Sequence, residues 1–211
     1  MLNTSRRLIP IRLQNGFVNL LAPLVKRLAK WGINPNSFTL AGLIITSMAA
    51  VAFIMGHLRL GGLLILLGGL CDTIDGSLAR FVNKATRFGA LFDSAMDRYS
   101  EFVMFLGIVV YFVRIKDYPT SVVVFFALCG SIMVSYSRAR AESLGFDSKV
   151  GVMQRPERIV FLGLGALIHP VALKFAIWLV AIFANFTALQ RIRHAYKQDE
   201  PNLDQKPITE S

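Results

Sequence analysis

The chain is 211 residues long, 54% hydrophobic and only 17% charged, with a formal net charge of +10. Charged residues make up about a quarter of an ordinary soluble domain, so the composition argues against a soluble fold. The positive balance admits nucleic acid or anionic lipid as a partner, and the long apolar runs decide for lipid and against nucleic acid.

One domain is the natural count for this length. Cys71 and Cys129 both lie in apolar runs and offer no disulfide framework. The basic N-terminus is not followed directly by a long apolar core and a cleavage site, so no signal peptide is expected.

Residues 1–34 carry Arg6, Arg7, Arg12, Lys26, Arg27 and Lys30, while Leu13, Phe17, Leu20, Leu24 and Leu28 recur at steps of three and four. That pattern predicts an amphipathic helix lying in the membrane interface, kinked or restarted at Pro23. Asn34-Pro35-Asn36-Ser37 reads as a helix start, with a capping residue and a proline in the first turn.

Six apolar stretches follow, at about 38–55, 61–81, 90–113, 120–137, 159–168 and 170–189. A span needs about 20 residues, so the fifth is short unless its helix begins near Pro156. The expected architecture is an all-α integral membrane protein: an interfacial helix at 1–34, a six-helix transmembrane catalytic domain at 35–192, and a polar tail at 193–211, disordered beyond about Gln198. With six spans, 17 of the 23 lysines and arginines fall on one side. By the positive-inside rule that side is the cytoplasm, with both termini and the 72–97 stretch facing it.

The second and third spans carry the chemistry. They contain Asp72, Asp75, Gly76, Ala79 and Arg80, then Gly89, Asp93 and Asp97. At about 100° per residue, Asp72 and Asp75 share one helix face, and Asp93 and Asp97 share another. Glycines one turn away, Gly76 and Gly89, let a backbone or ligand approach. Ionised side chains inside a membrane span are costly and mark function. Four carboxylates round one cavity need cations to neutralise them. Hard oxygen donors suit Mg²⁺ or Mn²⁺, and two such ions would serve phosphoryl transfer. A carboxylate-based cation transporter would use the same charges, but has no need of Gly76, Ala79 and Arg80 in this register.

The pattern Asp-x2-Asp-Gly-x2-Ala-Arg-x8-Gly-x3-Asp-x3-Asp resembles the signature of the CDP-alcohol phosphotransferases, with every fixed position filled. The resemblance implies six transmembrane helices, a homodimer and a dinuclear metal site at the cytoplasmic face of the membrane. It also implies displacement of CMP from a CDP-linked lipid by an acceptor hydroxyl. Asp72, Asp75 and Asp93 would then be the main metal ligands, and Asp97 both a neighbour of the metal and the base. Gly76, Arg80 and Thr86 match positions that bind the CDP moiety, Ala79 leaves room for it, and Gly89 lines its path. Pro35, Asn36 and Thr39 match the family's entry to the first span.

The acceptor should be read from Tyr136-Ser137-Arg138-Ala139-Arg140-Ala141-Glu142 and Arg155-Pro156-Glu157-Arg158. Arginine forks grip phosphate oxygens, and Arg138, Arg155 and Arg158 are expected to converge on a phosphorylated acceptor. The bland alternative is a cytoplasmic loop with local pairs such as Arg138–Glu142 and Glu157–Arg158. The two arginine segments look like those of the inositol 1-phosphate subgroup, the phosphatidylinositol-phosphate and archaetidylinositol-phosphate synthases. The expected donor is CDP-diacylglycerol or CDP-archaeol. The alternative acceptor is glycerol 3-phosphate, which would give phosphatidylglycerophosphate.

Overall fold

The computed structural model describes residues 8, 10–82, 86–148 and 150–203. Arg6, Arg7, Lys84, Lys149 and the last eight residues, which figure in the charge pattern or in the expected tail, lie outside the described residues.

Among the described residues there are seven helices: α1 (Ile11–Lys30), α2 (Pro35–Ile54), α3 (Leu58–Phe81), α4 (Arg87–Arg114), α5 (Tyr118–Ser143), α6 (Arg155–Ile168) and α7 (Pro170–Leu203). Helices α2 to α7 close into a ring. Neighbours run α3, α2, α4, α5, α7, α6 and back to α3, with α1 laid on the outside of α3. The ring is filled by one continuous apolar core that includes Phe53, Ile65, Phe105, Ile108, Leu162 and Ile177. Its outer face is also apolar, with Ile44, Met48, Phe125, Phe126, Phe175 and Ile182 all exposed. A surface of that kind is stable against lipid, not water.

Among the described residues four helices, α2, α3, α5 and α7, are long and apolar enough to cross a membrane. Helix α4 is long enough but loads its first half with Asp93, Asp97, Arg98 and Glu101. Helix α6 has 14 residues, about 21 Å at 1.5 Å per residue, against roughly 30 Å of hydrocarbon. It does begin at Arg155-Pro156, proline taking the first turn where its missing N–H costs nothing.

Helix packing uses the small residues. A Cβ on Gly62 would stand 2.6 Å from the carbonyl oxygen of Gly163, so α3 and α6 meet backbone to backbone.

Helix α1 continues through Pro23 and does not restart there. One expectation is corrected. Helix α7 continues to Leu203, past the point where disorder was expected. Its polar end is held because Gln198 reads the 144–154 loop like a peptide strand. Gln198 Nε2 donates to Asp147 O at 2.7 Å, and Asp147 N donates to Gln198 Oε1 at 2.9 Å.

Helix α1 divides its apolar sector. Val25 and Leu28 are buried against Ile74 and Leu78 of α3, while Leu13, Phe17, Leu20 and Leu24 stay exposed.

Candidate active site

Three helix ends meet at one end of the ring. Asn34 caps α2, its side chain accepting from Asn36 N at 3.1 Å, and Thr86 caps α4, its hydroxyl accepting from Gly89 N at 2.9 Å. Between these two N-termini and the last turns of α3 lies a cavity of about 750 Å³. Pro35, Asn36 and Thr39 line it from α2, Gly76, Ala79 and Arg80 from α3, and Thr86 and Gly89 from the start of α4. Asp75 and Asp93 complete its floor. Helix N-termini carry free N–H groups and a positive dipole end, so two of them at one cavity favour an anionic guest. Sequence spacing did not reveal that convergence.

Gly76 keeps the cavity open on the α3 side: a Cβ there would meet only the Arg80 guanidinium, at 3.6 Å and 3.9 Å. Among the described residues Arg80 has no carboxylate partner; its one contact is a long 3.4 Å bond to Ser77 Oγ. A cation left free at the rim of such a cavity suits phosphate oxygens.

The four aspartates are brought to one end of α3 and α4 but are not equivalent. Asp75 is buried and accepts a hydrogen bond from Thr39 Oγ1 at 2.7 Å. Asp72 and Asp97 face the other way, toward α6. There a single nitrogen, Arg155 Nη1, lies 2.6 Å from Asp72 Oδ2 and 2.8 Å from Asp97 Oδ1. Asp72 also borders α2 closely, since a Cβ on Gly42 would stand 3.0 Å from its Oδ1.

Among the described residues no three acidic, histidine or cysteine side chains are drawn together tightly enough to hold a metal ion as they stand. The donor set nonetheless fits one. Four carboxylates, which are hard oxygen donors, sit at one end of α3 and α4, and a guanidinium cation lies between two of them.

Of the three arginines expected at the acceptor phosphate, only Arg155 reaches the carboxylates. Arg138 is exposed and pairs with Glu142 at 2.8 Å, one helical turn away. Arg158 is 1% exposed. It donates through Nε to Glu101 Oε1 at 3.0 Å and through Nη2 to the same oxygen, and weakly through Nη1 to Met153 O at 3.4 Å. The reason is rotational. Three residues after Arg155 on α6, its side chain points about 60° away, into the core, where Glu101 needs a partner. The local Glu157–Arg158 pair is not formed. Arg98 lies 3.6 Å from Glu101 across one turn, and it donates further to Ser135 on α5.

The profile of the CDP-alcohol phosphatidyltransferase family matches residues 32–189. The chain is 38% identical over 176 residues to the archaetidylinositol phosphate synthase of Pyrococcus horikoshii, covering 83% of this chain and 90% of that protein. It is similar to the crystal structure of Mycobacterium tuberculosis phosphatidylinositol phosphate synthase with CDP-DAG bound. The TM-score there is 0.76 at 30% identity, over 84% of this chain and 94% of the other. The same mycobacterial enzyme in complex with manganese and citrate gives a TM-score of 0.74 at 30% identity, over 82% of this chain and 88% of that one. Profile, relatives and fold agree with the filled aspartate motif: the chain belongs to the CDP-alcohol phosphatidyltransferase family.

Proposed function

We propose that the protein transfers a phosphatidyl group from CDP-diacylglycerol, or its archaeal counterpart CDP-archaeol, to the hydroxyl of inositol 1-phosphate, giving phosphatidylinositol phosphate and CMP. The observation that carries this reading is the single cavity on which all eight motif and entry positions expected at the CDP-lipid converge, with Asp75 and Asp93 at its floor. The named activity of the relatives and the CDP-DAG bound in the mycobacterial structure support it.

Within this reading the nucleotide lies in the cavity with its pyrophosphate toward the N-termini of α2 and α4, and Arg80 takes a phosphate oxygen. Asp72, Asp75, Asp93 and Asp97 would hold two divalent cations, Mg²⁺ or Mn²⁺, which when bound offset the pyrophosphate charge and stabilise the attacking and leaving oxygens. The manganese complex of the mycobacterial enzyme supports the metal class. Asp97 faces α6 and accepts the proton of the attacking hydroxyl, a step that suits a positioned carboxylate. Arg155 is the phosphate-binding group nearest that base. Arg138, exposed in its pair with Glu142, remains available at the rim, whereas Arg158 acts through the core.

The same reading has six spans, α2 to α7, with α1 in the interface of the cytoplasmic membrane and both termini and the site on the cytoplasmic side. The exposed Leu13, Phe17, Leu20 and Leu24 support the interfacial placement. The units are then 1–34, 35–192 and 193–211. A homodimer is supported by an apolar groove of about 350 Å³ between α4 and α5, bordered by Phe102, Leu106, Phe125 and Leu128.

The test is CMP release by purified protein from CDP-diacylglycerol and Mg²⁺ with inositol 1-phosphate, glycerol 3-phosphate or free inositol. Release with inositol 1-phosphate alone is expected. Release with glycerol 3-phosphate alone would make the product phosphatidylglycerophosphate, and ion flux without CMP would point to a transporter.

A further inference from the structure

We propose that Arg155 is a resident counter-cation of the aspartate cluster: it neutralises Asp72 and Asp97 until a divalent metal takes its place, and only then is its guanidinium free for the acceptor's phosphate. This inference rests on the metal-dependent transfer proposed above.

Two arginines one turn apart on α6 are used in opposite ways. Arg158 engages all three of its guanidinium nitrogens, two on Glu101 and one on Met153 O. Arg155 makes its closest approach to both Asp72 and Asp97 through one nitrogen, Nη1, and its Nε is buried without a hydrogen-bond partner. A guanidinium has five donors in a rigid fork and binds carboxylates best side-on, two parallel bonds at a time. Arg155 instead sets Nη1 between two acids and leaves Nε unused. Its position is governed by charge: two carboxylates within reach of one nitrogen, in a largely buried site, need a cation between them.

The position is also exclusive. Among the described residues no three acidic groups close on one point, and Arg155 stands against Asp72 and Asp97, two of the carboxylates proposed to hold the metal. Metal and guanidinium therefore compete for the same charge.

Once displaced, Arg155 stays anchored beside Asp97, because Arg158 and its buried Glu101 fix α6 one turn away. What it then offers is an unused fork, the shape that suits a phosphate monoester. Linkage makes the coupling reciprocal. A phosphate ester that draws Arg155 off the carboxylates must tighten metal binding, and metal must tighten binding of the ester.

The experiment measures Mn²⁺ binding to the purified full-length protein in detergent, without CDP-lipid, from the electron paramagnetic resonance signal of the free ion. Titrations are run alone and with inositol 1-phosphate, glycerol 3-phosphate or free inositol, so the outcome does not depend on which acceptor is physiological. Wild-type protein is expected to bind Mn²⁺ about fivefold or more tightly with either phosphate ester and to ignore free inositol, within the usual range of site coupling. Arg155→Gln is expected to bind Mn²⁺ more tightly than wild type with no ester present, and to lose the response to esters. Equal or weaker Mn²⁺ binding by Arg155→Gln, or a response that survives in it, overturns the proposal. If that variant does not fold, the wild-type titration decides alone, and an affinity unmoved by both esters is then the overturning result. Failure of the transfer reading is seen separately, as no CMP release by wild-type protein with any acceptor.

Discussion

Arg158 of α6 and Glu101 of α4 form an ion pair with both side chains almost wholly buried, 1% and 3% exposed, within a bundle whose core is mainly apolar. Taking two charges out of water is costly, and the pair survives because Glu101 Oε1 receives two donors from one guanidinium. Removing Arg158 leaves the buried Glu101 with only the more distant Arg98, 3.6 Å away. Arg158→Met should cost about 3–5 kcal/mol of stability, read as a lower melting temperature in detergent. The double variant Glu101→Leu/Arg158→Met should regain most of it. A single variant that melts like wild type would mean water reaches this pair.

Asp97 is assigned the proton of the attacking hydroxyl. Asp97→Asn keeps the size and removes the basicity, so CMP release should fall on the order of a hundredfold or more. Full CMP release by the variant would move the base elsewhere.

Two glycines on the same helix predict opposite outcomes. At Gly76 an added methyl group meets only the end of the flexible Arg80 side chain, and alanine is the better helix former by about 1 kcal/mol. Gly76→Ala should therefore fold at least as well as wild type, yet raise the KM for CDP-lipid on the order of tenfold by filling the cavity. At Gly62 the same methyl group would run into the Gly163 backbone. Gly62→Ala should lose roughly 1–3 kcal/mol of stability, and whatever fraction remains folded should keep its KM. Equal effects on melting temperature would contradict this division of the helix into a ligand face and a packing face.

Asp117, in the turn before α5, accepts from Lys174 Nζ at 2.8 Å and from Thr120 Oγ1 at 2.8 Å. Those donors, Lys174 first, hold its carboxyl below the usual range. A folded-state value below the unfolded one stabilises the protein above the unfolded carboxylate value of about 3.9. That contribution disappears as pH falls through the lower folded-state value. Asp117→Asn should lower the melting temperature at pH 7, by an amount worth roughly 1 kcal/mol or less because Lys174 is well exposed. The gap to wild type should narrow below pH 4. A gap that does not change with pH would assign the loss to helix capping alone.

What the sequence made legible was set by spacing. The aspartate motif, the capped start of α2 and the starts of the apolar stretches are local patterns, and each survives into the structure within a turn or two. What it concealed depends on rotation and distance along the chain. Arg138, Arg155 and Arg158 look alike as letters, yet one is solvated beside Glu142, one bridges Asp72 and Asp97, and one is buried on Glu101, 57 residues away. No local signal tells Arg158 from Arg155, because the choice is made by which neighbouring helix each faces. The length of α7 was hidden for a similar reason, since Gln198 is a polar residue in a polar tail until Asp147 is folded against it.

The loop that leads into Arg155 is stitched to α7 along its length. Thr187 Oγ1 accepts from Val152 N at 3.3 Å and Met153 N at 3.0 Å, and Arg191 Nε donates to Val150 O at 2.9 Å. A main chain tethered this way has no flap to lift. Whatever Arg155 does during turnover must come from torsion of its own side chain, without the slower hinge motions by which many enzymes admit their substrates.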